Sequence, residues 1–306
     1  MNATHKIRSK IALSITLITI FFLTTNFTAR DLELIKEKSF EVEPGQLLNV
    51  KTDIGDIIIK AWSENKVVVK IYGDEDARRK MEFMFDQDEN GVEIIGEKEG
   101  SKLFGWFSNI ELKYEIKVPA HFDSDLKSSG GDMVVKNVKG ECNLKTSGGD
   151  IYTKNVEGAL YCGTSGGDIS LFNFSGNAEV STSGGDIEVD SEEGSILATT
   201  SGGDIIVKAS DGEVKAKTSG GDISLNYFGE NYGISLSTSG GDIDAKLPSD
   251  LNAEVDIRTS GGDIISNFSQ NKMTKISKSK LIGKYNNGGN PLICKTTGGD
   301  ISILER

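Results

Sequence analysis

Histidine is almost missing from this chain of 306 residues: His5 and His121 are the only two. Cysteine is nearly as rare at three, proline stands at four and tryptophan at two. So few imidazoles and thiols leave no His or Cys cluster to ligate a transition metal and no histidine-based catalytic constellation. There is no phosphate loop and no nucleophile elbow. An excess of positive charge is missing as well. Lys and Arg number 34 against 46 Asp and Glu, a formal charge of −12. That balance argues against nucleic acid as a partner and against a broad attraction to anionic lipid.

Long apolar runs are also scarce. The clearest spans Ile11 to about Leu23, after the basic residues Lys6, Arg8 and Lys10 beside His5. It is too short and too interrupted by threonine for a comfortable membrane span, and it reads as an export signal over residues 1–29, with cleavage after Ala29. An uncleaved N-terminal anchor is the other reading. No Cys follows the run, so lipid attachment there is not expected. Residues 301–306 carry no apolar tail and no wall-sorting pattern.

What the chain has in quantity is glycine, 36 residues, and the glycine is ordered. Gly-Gly-Asp occurs nine times, with Asp132, Asp150, Asp168, Asp186, Asp204 and Asp222 in steps of 18 and Asp242, Asp263 and Asp300 following at wider steps. Most copies read Thr-Ser-Gly-Gly-Asp-Ile. A fixed period of this kind is the signature of stacked repeats.

Within each copy the apolar residues alternate with polar ones. Leu160, Ala178, Ile196 and Val214 stand four residues before the Thr, and Cys162, Val180, Ala198 and Ala216 stand two before it. After the Asp, Ile151, Ile169, Ile187, Ile205 and Ile223 share one position, with Leu171, Val189, Val207 and Leu225 two further on. Each segment is a strand with one buried face. The chain must turn between them, and the Gly pair is expected to supply positive φ angles there. A second punctuation recurs at Gly140, Gly158, Gly176, Gly194 and Gly212.

One such coil cannot bury its apolar face alone, so neighbours stack with like residues about 4.8 Å apart. The fold class is all-β: a parallel β-helix, or solenoid, with about 18 residues per coil. The expected winding is right-handed, although a coil of this length also suits a left-handed helix. Nine coils stacked in order would make a rod on the order of 40 Å long. Residues 128–306 form the solenoid and 30–127 a less regular β-rich N-terminal region. That region holds a degenerate coil (Leu48, Val50, Thr52, Gly55, Asp56, Ile57, Ile59), a charged segment from Asp74 to Glu89 and a hairpin-like stretch from Val92 to Pro119. Within the stretch, Leu103-Phe104-Gly105-Trp106-Phe107 reads as a cap on the open solenoid end, or else as a partner or membrane contact. Cys142 and Cys162 fall in adjacent coils but two residues out of register. Their Cα atoms would lie about 8 Å apart, beyond disulfide reach, so all three Cys are expected to be small core residues.

The chemistry of the repeat rests in its aspartates. Each precedes an inward Ile and therefore points outward. Unit charges at the strand spacing repel by roughly 1 kcal/mol in water, so something must offset them. One reading is structural: the carboxylates accept backbone N–H groups of the corner or the hydroxyls of residues such as Ser147 and Ser165. The other is a divalent cation, Ca2+, bridging Asp150, Asp168, Asp186, Asp204 and Asp222. No other cofactor is expected.

The Ser-Gly-Gly-Asp-Ile repeats, the Val118-Pro119 pair ahead of them and the export signal resemble the bacterial putative-adhesin family of β-solenoid domains of unknown function. The resemblance covers roughly residues 40–306. It implies a cell-envelope β-helix without an established enzymatic activity, and it supplies no catalytic residue. The expected function is a non-enzymatic exported adhesion, interaction or scaffold module with a protein or glycan of the envelope as partner. The expected location is the periplasm, the cell surface or the medium. Membrane contact is expected only through the N-terminus or Phe104, Trp106 and Phe107. Two other readings stay open, a cation-binding repeat protein and a polysaccharide-acting β-helix enzyme. Uniform ladders favour the scaffold, and an irregular acidic and basic cluster in one groove would favour the enzyme.

Overall fold

Alternation decides which side chains go inside. Ile57, Met133, Ile151, Ile169, Ile187, Ile205, Ile223, Ile243 and Ile301 are all fully buried and stand one above another. A fully buried Ile contributes about 1.5–3 kcal/mol relative to an exposed one. In the computed structural model residues 32–99, 110–268 and 273–306 are described. Among these are 25 strands and one short helix, and the chain is all-β. The export segment and Phe104, Trp106 and Phe107 lie outside the described residues.

The strands form two rows that face each other across the core. Strands that lead into a Thr make one, here called the Thr row, and strands that follow an Asp make the Ile row. The N-terminal elements are β1 (Glu33–Glu41), β2 (Leu47–Thr52), β3 (Asp56–Trp62), β4 (Lys66–Gly73), α1 (Glu75–Lys80), β5 (Met81–Gln87), β6 (Gly91–Lys98) and β7 (Leu112–Pro119). Next come β8 (Asp123–Ser128), β9 (Met133–Lys136), β10 (Lys139–Lys145), β11 (Ile151–Gly163) and β12 (Ile169–Ser181). The long β11 and β12 contribute to both rows and pair in parallel over their length, Ile151 with Ile169 and Cys162 with Val180.

The expectation that coils stack in chain order fails at both ends. β2 lies between β6 and β8, and β3 between β7 and β9. So β6 and β7 do not form the hairpin anticipated for Val92 to Pro119: they are the two sides of the outermost parallel coil. At the other end the strands Pro291–Lys295 and Ile301–Glu305 slot between Ile234–Ser237 and Ala253–Arg258 in the Thr row, and between Ile243–Leu247 and Ile264–Ser266 in the Ile row. The cause is the open edge. A parallel coil left outermost exposes unpaired N–H and C=O groups. Here the chain doubles back to add antiparallel strands: β5 on β6, β4 on β7, β1 on β4, and Lys280–Tyr285 on Ala253–Arg258.

The Gly pair works differently from expectation. Neither member has a positive φ in any copy; positive φ occurs instead at the second corner, at Asn137, Asn155 and Asn173 (60°, 53° and 53°) and at Gly140, Gly158, Gly176 and Gly194. The second Gly of the pair is required by close approach between coils. A Cβ built on Gly203 would stand 2.0 Å from the carbonyl oxygen of Gly185. The three Cys are buried and free. Burial pushes the Cys142 and Cys294 thiols up to about 12.

Candidate functional site

The aspartates line one edge of the Ile row, all exposed. Asp150 Oδ1 accepts the backbone N–H of Asp168 at 2.8 Å, Asp168 that of Asp186 at 2.8 Å, Asp186 that of Asp204 at 2.8 Å and Asp204 that of Asp222 at 2.8 Å. The donor is thus the next coil's Asp, not the same corner or a Ser hydroxyl. The series begins at Asp56, which accepts from Asp132 at 3.0 Å, and ends at Asp263, whose N–H donates to Asp300, so that Asp300 sits between Asp242 and Asp263. A charge-assisted bond of this kind is roughly twice as strong as a neutral one and offsets the repulsion between neighbours. At Asp56 burial raises the carboxyl above its usual range, opposed by the N–H of Asp132 and reinforced by the Asp132 charge. Among the described residues no group of three His, Cys, Asp or Glu is arranged to hold a metal ion.

Sequence reasoning gave the repeat threonines no role, yet they join the coils. Thr200 Oγ1 donates to Gly185 O at 3.0 Å and Thr218 Oγ1 to Gly203 O at 2.9 Å, while Thr200 accepts the N–H of Gly203 at 3.4 Å. Both are buried. The signal was present, because each Thr continues the inward parity of the strand before it.

The outer face of the Ile row carries a second line of charge that the period could not place. Lys117, Lys60, Lys136 and Lys154 stand on β7, β3, β9 and β11, each in register with the next. Only Lys136 and Lys154 show the step of 18. Lys60 and Lys117 join the line because their strands are stacked out of chain order. Aromatic rings flank it: Lys117 Nζ lies 5.1 Å from the Trp62 ring centroid, Lys136 Nζ 5.2 Å from that of Tyr152, and the Phe172 ring lies tilted by 41° at 5.7 Å from Tyr152. At one end a cavity of about 310 Å3 opens between Trp62, Ile58 and Val68, with Lys60, Lys70 and Lys117 at its rim beside Glu37 and Glu115, which pair with Lys70 at 3.4 Å and with Lys113 at 2.6 Å. On the opposite face, in the Thr row, the missing side chain of Gly163 leaves a groove of about 340 Å3 beside Glu141, Lys145, Tyr161 and Glu179.

Stacked parallel coils with continuous side-chain ladders and doubled-back ends define a β-solenoid-like protein. The match to the Toastrack DUF4097 family spans residues 46–304, and the chain belongs to that family. Among solved structures, a putative cell adhesion protein from Clostridium sporogenes is similar at 14% identity and TM-score 0.25, with 90% of this chain and 100% of that one covered. A putative adhesin from Bacteroides fragilis is similar at 14% identity and TM-score 0.40, covering 90% and 97%. A putative lipid binding protein from Parabacteroides distasonis is similar at 16% identity and TM-score 0.34, covering 89% and 96%. No curated protein matches the chain.

Proposed function

We propose that this protein is a non-enzymatic, exported interaction module of the cell envelope that binds a glycan or protein partner through the outer face of its Ile row. In this reading the chain winds as a right-handed parallel β-helix of about 18 residues per coil, and residues 1–29 direct its export. The observation that carries it is the face itself. Outward positions of successive strands repeat at about 4.8 Å, so the surface presents lines of like side chains rather than one singular centre. Two supports stand beside it. The Asp carboxylates hold their neighbours' N–H groups, a structural use of the most repeated polar residue. Trp62, Tyr152 and Phe172 stand half-exposed on this face, and aromatic residues are enriched at recognition surfaces.

The test is direct binding. The chain without its first 29 residues is immobilised and exposed separately to the glycan, protein and lipid fractions of envelopes. Saturable binding of the glycan or protein fraction, reduced by changes on the Ile row and not by changes on the Thr row, is expected. Binding to none of them, or binding abolished only by changes to the Thr row, refutes the proposal. One observation favours a second reading, a polysaccharide-cleaving enzyme: the groove beside Gly163 mixes Glu141, Glu179 and Lys145. New reducing ends from acidic polysaccharides, abolished by Glu179→Gln, would establish it in place of the first.

A further inference from the structure

The four-lysine line runs along the stacking direction, so its charges lie on a straight track rather than along any one strand. Neighbouring strands are about 4.8 Å apart, and like charges directly opposite each other on a sheet destabilise it. Elsewhere on this surface lysines are relieved by carboxylates, as Lys208 is by Asp190 at 2.9 Å and Lys139 by Glu157. Among the described residues Lys117, Lys60, Lys136 and Lys154 take part in no such pair. Lys117 and Lys136 lie over rings instead. A protein of net charge −12 that keeps four adjacent lysines unpaired tolerates a repulsion that a ligand would remove.

The dimensions restrict the ligand. The track is one charge wide. The Asp line runs beside it, four residues away along the same strands (Asp132 to Lys136), or about 13 Å at the strand rise. That is beyond the Debye length of about 8 Å at physiological ionic strength, so a thin polyanion on the lysines is little disturbed by the aspartates. A broad anionic surface would meet both lines at once. The rings of Trp62 at one end and of Tyr152 and Phe172 at the other offer flat apolar faces on the same strip, suited to the C–H faces of sugar rings. An extended chain of acidic sugars sets its charges at intervals comparable to the strand spacing.

We propose that this strip holds a linear anionic polysaccharide, carboxylated or sulfated, laid along the stacking direction with its charges on Lys117, Lys60, Lys136 and Lys154 and its rings against Trp62 and Tyr152. This rests on the reading of the protein as an interaction module and names its ligand class.

The experiment measures binding of residues 30–306 to polygalacturonate, heparin, neutral dextran, single-stranded DNA and phosphatidylglycerol vesicles by calorimetry, at low and at physiological salt. Polygalacturonate or heparin should bind and dextran should not, with affinity falling as salt rises. Whichever of the two binds more tightly tells carboxylate from sulfate. The double change Lys60→Gln/Lys136→Gln should weaken binding at least about tenfold, because it removes two charge-assisted hydrogen bonds to the ligand. Trp62→Ala should weaken it several-fold, and Lys208→Gln should not. Removing like charges should leave the melting temperature of the double variant unchanged or raised, so a binding defect is separable from a folding defect. Equal binding by the double variant overturns the inference, as does tighter binding of vesicles or DNA than of either polysaccharide. Envelope binding that persists while both polysaccharides fail sinks the ligand class and leaves the interaction reading standing. Shortened polysaccharide products would instead overturn the interaction reading.

Discussion

Replacing one glycine of a Gly-Gly pair should be ruinous and replacing its neighbour harmless. A Cβ on Gly203 would stand 2.0 Å from Gly185 O and 2.5 Å from Asp186 Oδ1, both in the coil below. Ordinary carbon contacts begin near about 3.5 Å, so the two coils would have to separate by more than about 1 Å at the corner. Three hydrogen bonds cross or brace that corner: Asp204 N–H to Asp186, Thr218 Oγ1 to Gly203 O and Gly203 N–H to Thr200. Losing two of them at about 1 kcal/mol each, with overpacking of about 1–3 kcal/mol, sums to about 3–5 kcal/mol for Gly203→Ala. At Gly202 the nearest atoms would be Gly184 O at 3.5 Å and Ser183 O at 3.6 Å, an ordinary contact, and φ is not positive. Gly202→Ala should therefore be neutral or stabilising by up to about 1 kcal/mol, through the entropy of the unfolded chain. At about 2–4 °C per kcal/mol for a unit of this size, Gly203→Ala should lower the melting temperature by roughly 10 °C and Gly202→Ala should leave it within about 3 °C. Calorimetry or circular dichroism on both variants decides the matter. Equal effects, or the reverse order, would refute the close-approach argument.

Other consequences can be checked in the same way. Ile205→Asp places a carboxylate in a fully buried column and should unfold or aggregate the protein at a cost of several kcal/mol; an unchanged melting temperature would show that the column faces elsewhere. The pair Asp186→Asn/Asp204→Asn keeps an Oδ1 acceptor for each N–H and removes two like charges, so stability should change little and should not respond to chelators. A large Ca2+-dependent rise in melting temperature, abolished in that pair, would establish a cation site by mass action. Because burial raises the Asp56 carboxyl, protonating it favours the fold, and its contribution grows as pH falls through the folded value and fades as pH rises. Asp56→Asn should therefore raise the melting temperature more at pH 7 than at pH 4, and an equal gain at both would contradict the assignment.

The repeat made the interior legible because the inward parity breaks at the same corner of every copy and restarts there in the same phase, with Thr200 and Ile205 both inside. Ile205 and Val207 could be placed inside, and Asp204 outside, from spacing alone. Thr200 obeys the same parity, yet its polarity hides its burial until the Gly185 carbonyl beneath it is seen. Corner chemistry was less legible, since a glycine needed for φ and one needed for clearance look alike in a sequence. Asn137, Asn155 and Asn173, which do hold positive φ, carried the better hint. The stacking order at the ends was not legible at all. Parity says that Leu48 and Val50 face inward but not which coil lies beneath them. The lysine line inherits that blindness, because Lys60 meets Lys117 and Lys136 only through a stacking order that chain order does not contain.

That stacking order also bears on how the stack of coils is made. In an ordinary repeat array each new coil can add to the one before it, so folding can follow synthesis. Here Ala253–Arg258 and Ile264–Ser266 are synthesised before Pro291–Lys295 and Ile301–Glu305 but stack beyond them. Until the later strands exist, the earlier pair has no native neighbour on its inner side, only Lys280–Tyr285 along the outer edge of Ala253–Arg258, and its nearest available template is the Ile234–Ser237 and Ile243–Leu247 coil, which finally belongs to the latecomers. Early docking there would have to be undone. The central coils can therefore form as they emerge, while this end has to wait, and its closure is a long-range, late event of the kind that slows folding.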